Sequence, residues 1–92
     1  IRNQKERKEV KMKNEFLVQL NTIDRVKRFV KICDNYEEDI DLSSGRYIID
    51  AKSIMGIFSF DLTKPLSIHI HSNKIDVVRR FNEEMSEYKY DD

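Results

Sequence analysis

Tryptophan is absent from this 92-residue chain, and cysteine and proline occur once each, as Cys33 and Pro65. A single Cys excludes an internal disulfide and suits a reducing cytosol, so a cytoplasmic location is the expectation. With only Gly45, Gly56 and Pro65 as punctuation, the chain has little room for long loops, and a compact domain of helices and strands is favoured over disorder. No apolar stretch is long enough to span a bilayer, and no signal-peptide pattern is present, so no membrane partner is expected. An excess of one charge is lacking too: 17 Lys and Arg balance 17 Asp and Glu, which removes any general argument for nucleic acid or a membrane surface. This length builds one core, not two.

The local exception is 1–14, where Arg2, Lys5, Arg7, Lys8, Lys11 and Lys13 stand against only Glu6 and Glu9. A basic arm for nucleic acid or acidic lipid is one reading. A solvated basic tail is the plainer one, since no aromatic residues interleave the charges for base stacking. Val10 and Met12 share parity with Phe16, Val18 and Leu20, so the segment can also extend the first strand. The domain proper is 15–92.

From Glu15 to Leu20 the alternation of Phe16, Val18 and Leu20 predicts a strand buried on one face. Asn21 or Thr22 then caps a helix running to about Asn35, with Ile23, Val26, Phe29, Val30 and Cys33 as its buried stripe and Asp24 in its first turn. Cys33 on that stripe reads as a small core residue. Asp39–Leu42 alternates again, and Ser43-Ser44-Gly45 turns the chain into Arg46–Ala51, where Tyr47, Ile49 and Ala51 share one face and Ile48 and Asp50 the other. Leu66–His71 is a further strand with Leu66, Ile68 and Ile70 on one side and Ser67, His69 and His71 on the other. Ser72 or Asn73 caps a last helix with Ile75, Val78, Phe81, Met85 and Tyr88 on its apolar stripe, and Tyr90 to Asp92 is expected to fray. Every strand has one apolar face. The expected fold is therefore α+β, an open-faced sandwich: a four-stranded antiparallel sheet with three helices on one face, in the order β-α-β-β-α-β-α.

The third of these helices comes from Ala51–Asp61, where Ile54, Met55, Ile57, Phe58 and Phe60 crowd behind Ser53 and are interrupted by Gly56. The run is too irregular for a strand and too broken for a long helix. A short helix with Ser53 as N-cap accounts for it, and because the apolar residues do not fit one stripe, two faces are served and one is exposed. The string Ala51-Lys52-Ser53-Ile54-Met55-Gly56-Ile57-Phe58-Ser59-Phe60, with Leu62-Thr63-Lys64 after it, resembles the regulatory-serine segment of HPr, the phosphocarrier of the bacterial sugar phosphotransferase system, in its Gram-positive form. Phe29-Val30-Lys31 and Leu66-Ser67-Ile68 extend the resemblance in register, and it covers about Glu15 to Tyr88.

The resemblance implies a carrier or docking domain and not an enzyme, with no cofactor, no small-molecule substrate, and protein partners of the phosphotransferase or carbon-regulation type. It also implies a phosphoacceptor His before the first helix, followed by an Arg and a Pro, where free backbone N–H groups and a guanidinium stabilise the phosphate. Counting back from Phe29-Val30-Lys31, these positions fall on Thr22, Asp24 and Arg25, and the connection from Leu20 to Ile23 is short. Asp24 in place of an Arg repels a phosphate by ~1 kcal/mol at a few ångströms in water. The expectation is thus a degenerate HPr-like domain without histidine phosphotransfer, and the alternative is a divergent but working phosphocarrier. Ser53 remains as the regulatory phosphorylation candidate, with Lys52, Ile54, Met55 and Phe58 as the docking residues the resemblance implies; the plainer alternative makes Ser53 a cap only, and Ile54 and Phe58 core. His69 and His71 project from one strand face at a spacing that can bind a metal, with Asp39 and Asp41 across from them if the strands are neighbours. Ordinary polar residues on the wet face explain the same pattern, so no metal is assigned from sequence.

Overall fold

The computed structural model describes residues 13–90; the other twelve positions of the basic segment, with Val10 and Met12 and their expected strand extension, lie outside the described residues, as do Asp91 and Asp92. The elements are β1 (Glu15–Val18), α1 (Ile23–Asp34), β2 (Ile40–Ser44), β3 (Tyr47–Asp50), α2 (Ile54–Ile57), β4 (Leu66–Ile70) and α3 (Ile75–Glu84). The strands form one antiparallel sheet in the order β1-β4-β2-β3. This is the expected α+β arrangement, with the last strand to form in sequence placed centrally.

Register carries the period-two pattern across the whole sheet. Phe16, Ile68, Leu42 and Ile49 stand opposite one another in one row on the inner face, and the next row outward is Glu15, His69, Asp41 and Asp50. The first row packs on the helices and the second faces water, because successive side chains leave opposite sides of a strand. The β2–β3 turn places Gly45 at φ 60° as its first central residue while Arg46 keeps a negative φ, the pattern of a type II′ hairpin turn.

Onto the inner face α1 buries Val26, Phe29, Val30 and Cys33, and α3 buries Val78 and Phe81. Ile23 and Ile75, both expected in the stripes, are exposed instead: each opens its helix, one turn before the first residue that the core reaches. The capping of α3 also differs from expectation. Lys74 holds the N-cap position without a side-chain hydrogen bond, and Ser72 accepts from the Lys74 N–H at 3.1 Å, making a turn two residues too early to cap. Met85 and Tyr88 lie beyond the end of α3 and are still buried, with Tyr88 edge-on to Phe29 at 6.0 Å between ring centres. Tyr90 is not frayed: its N–H donates to the Leu17 carbonyl at 2.9 Å, and the Gln19 N–H donates to the Tyr88 carbonyl at 2.8 Å. This last segment covers the outer edge of β1, an edge otherwise open to pairing with another chain.

Candidate functional site

Ser53 stands at the N-cap of α2 with extended backbone angles, and its Oγ accepts the Gly56 N–H at 3.2 Å. The chain divides its apolar residues here as the mixed pattern requires. Ile57 is fully buried, Ile54 is half-buried against the core, Phe58 is 43% exposed and Met55 is 80% exposed. Of the expected docking residues, Met55 and Phe58 therefore face solvent and Ile54 supports them from below. Lys52 is placed differently. Its ammonium donates to the Tyr36 carbonyl at 2.7 Å, so its charge is engaged at the C-terminal end of α1. Gly56 has a packing reason: a Cβ there would lie 3.1 Å from Ile49 Cδ1 and 3.2 Å from Ser53 Oγ, so α2 sits close against β3 because the residue has no side chain.

Beside α2 the surface continues into a groove of about 300 Å³ lined by Tyr47, Ile48, Ile49, Ser59 and Phe60. Tyr47 and Ile48 are 73% and 66% exposed. Ile48 stands where the alternation sets it, on the outer face with Asp50. Tyr47, expected on the inner face with Ile49 and Ala51, is exposed instead: it is the first residue of β3, beside the turn on an edge strand.

The segment before α1 is short, residues 19–22, and it contains no histidine. Thr22 is the N-cap of α1 and its Oγ accepts the Arg25 N–H at 3.1 Å. Asp24 pairs with Arg28 at 2.8 Å, which holds its carboxyl below the usual range. The Arg25 guanidinium donates to the Gln19 and Glu87 carbonyls, each at 3.0 Å, and stacks 5.0 Å above Tyr88. The Arg25 guanidinium thus links the chain after β1 to the chain after α3, with its Nε buried and without a hydrogen-bond partner, while Thr22 and Asp24 are satisfied within α1. Cys33 is buried among apolar side chains, and burial foremost, with Asp34 second, pushes its thiol up to about 12. It is a core residue.

No family model matches the chain, and no curated protein matches it by sequence. Solved structures do. HPr-C-His from Thermoanaerobacter tengcongensis is similar with a TM-score of 0.64 and 16% identity, over 82% of this chain and 92% of that one. Phosphocarrier protein HPr from Bacillus anthracis str. Ames is similar with a TM-score of 0.60 and 21% identity, over 83% and 95%.

The fold is HPr-like.

At these identities the likeness speaks for the fold, and the surfaces of this HPr-like domain rest on their own residues. On the sheet's outer face His69 and His71 come together with Asp41, as the neighbouring of β2 and β4 requires: Asp41 is the direct cross-strand partner of His69, and His71 Nε2 lies 2.6 Å from Asp41 Oδ2. Asp39 contributes through its backbone, accepting the His71 N–H at 2.9 Å. Among the described residues no helix is long and apolar enough to cross a membrane.

Proposed function

We propose that this HPr-like domain is a protein-docking module that works through the Ser53–Phe58 segment and not through histidine phosphotransfer. The carrying observation is the exposure of Met55 and Phe58 on α2 next to the groove of Tyr47, Ile48 and Phe60. Exposed apolar side chains gathered beside a groove mark a surface that gains by being covered. At the start of α1, where a carrier would hold its phosphohistidine, Thr22 caps the helix, Asp24 adds a negative charge and Arg25 is committed to backbone carbonyls.

The partner on this reading is a protein of the phosphotransferase or carbon-regulation type in a bacterial cytoplasm, and the domain itself catalyses nothing. Ser53 is the regulatory position. Its hydroxyl is exposed, and a phosphate there adds about two negative charges beside Met55 and Phe58, which alters an apolar contact directly.

The test is to incubate the protein with phosphoenolpyruvate and the first enzyme of the phosphotransferase system, and in parallel with ATP and the HPr serine kinase, and to read intact mass and the modified residue. The expected result is phosphate on Ser53 from ATP and none from phosphoenolpyruvate. Acid-labile phosphate on His69 or His71 would overturn the proposal in favour of a working carrier. Absence of phosphate from ATP would remove the regulatory role of Ser53.

A further inference from the structure

The outer face of the sheet carries a second constellation, unconnected with α2. His69 on β4 and His71, the residue just past its end, project on the same side, and their rings stand 4.2 Å apart, tilted by 39°. β2 runs antiparallel beside them in a register that sets Asp41 directly opposite His69, while His71 Nε2 reaches Asp41 Oδ2 at 2.6 Å. One ligand atom from each of the three side chains falls within 4.8 Å of the other two. Ligands held at about 2.1 Å from a tetrahedral zinc ion stand roughly 3.4 Å apart, so modest rotations of these half-exposed side chains bring all three onto one ion.

The surroundings favour a cation independently of that geometry. Asp50 faces Asp41 directly across β2 and β3, and Glu15 faces His69 across β1 and β4, so one row runs carboxylate, imidazole, carboxylate, carboxylate across the whole sheet. Like charges directly opposite each other in an antiparallel pair are destabilising, and a positive ion between them offsets the repulsion. Asp39, Asp41, Asp50 and His71 also line a depression of about 340 Å³, and His69 stands outside its lining, so the depression leaves room for water on the Asp41 and His71 side of the ion. Two imidazole nitrogens with a carboxylate oxygen suit zinc, nickel or copper, whereas magnesium and calcium prefer oxygen alone. The one thiol, on Cys33, is buried and does not compete.

From this we propose that Asp41, His69 and His71 form a binding site for a divalent transition-metal ion of the zinc class, which clamps β2 to β4 and keeps open positions toward solvent. The proposal does not depend on the reading of the Ser53 segment.

Calorimetric titration of the untagged full chain with zinc chloride, with magnesium chloride as the comparison, tests it. One zinc ion per chain with a silent magnesium titration is expected. Asp41→Asn, His69→Gln and His71→Gln are each expected to weaken zinc binding by about tenfold or more, and the double histidine variant to abolish it. Absence of saturable zinc binding, equal binding of magnesium, or unchanged affinity in the double variant would overturn the site. A second measurement needs no substitution: added nickel broadens the imidazole proton signals of His69 and His71 first, and broadening that begins elsewhere in the chain counts against the proposal.

Discussion

The Lys52 ammonium donates to the Tyr36 backbone carbonyl at 2.7 Å, which ties the residue before the α2 cap to the residue after the α1 C-cap. The two helices meet at this point, and the exposed face of α2 is positioned by it. Lys52→Met keeps the apolar stem and removes the donor. Charge-assisted hydrogen bonds contribute about 1.5–3 kcal/mol when well shielded, and this one is half-exposed, so a loss of about 1 kcal/mol is expected in urea unfolding with an unchanged m-value. No shift in the midpoint would show that the bond contributes nothing.

Met55 and Ile57 are two residues apart in one apolar run and on opposite sides of the α2 surface. Met55→Ser is expected to leave stability within about 0.5 kcal/mol, whereas Ile57→Ala, which empties a fully buried position, costs about 2–4 kcal/mol. Parallel denaturant curves of the two variants decide the matter. Equal losses would place Met55 in the core and remove the docking surface.

Ser53→Ala removes the acceptor for the Gly56 N–H and is expected to lower stability by about 1 kcal/mol, while Ser53→Asp keeps an N-cap oxygen and stays closer to the parent. Thermal melts of both proteins give the comparison, and identical melting temperatures for the Ala and Asp variants would refute the capping role.

Tyr36 donates its hydroxyl to Glu84 at 2.7 Å and accepts from Arg80 at 3.2 Å. Burial first, and the Glu84 bond second, push its phenol up to about 12. In the unfolded chain a tyrosine ionises near pH 10, so this residue's contribution to stability is present in full below about pH 10 and is lost as pH rises toward 12. Tyr36→Phe is expected to flatten that alkaline decline in part and not wholly, because burial also raises the Tyr88 phenol. Unfolding midpoints measured between pH 9 and 12 check the slope, and an equally steep decline in the variant would contradict it.

The Cys33 thiol, held at about 12, is expected to be inert to a thiol reagent at pH 8 in the native protein and to react at once in urea. A fast native reaction would mean that α1 opens from the sheet.

Much of this was legible along the chain because the sheet and the two long helices are amphipathic with clean periods. Phe29, Val30, Phe81, Ile68 and Leu42 declare their faces by spacing alone, and each is buried. Ser53 was legible as a cap because a short polar side chain precedes an apolar run. What failed lay at element ends. Ile23 and Ile75 share the parity of buried stripes yet sit one turn outside the core, Ser72 sits two residues before the N-cap of α3, and Tyr90 is held by hydrogen bonds to β1 that no local pattern announces. Tyr47 shares the inner parity of Ile49 and Ala51 and is exposed all the same, because alternation distinguishes two faces but does not say which strand lies at an edge.

The sequence by itself determined the elements, their order and the inner faces of β1, β2, β4 and the two long helices, since these follow from local spacing and capping chemistry acting over a few residues. It also determined that the approach to α1 carries Thr22, Asp24 and Arg25 and no histidine. Only the tertiary structure decided which strands are neighbours and in what register, and with that whether His69 meets Asp41, whether Asp41 meets Asp50, and whether Met55 or Ile57 takes the outward side of α2. Those outcomes depend on pairing between segments far apart in the chain, where a one-residue slip would turn every side chain of a strand to the other face.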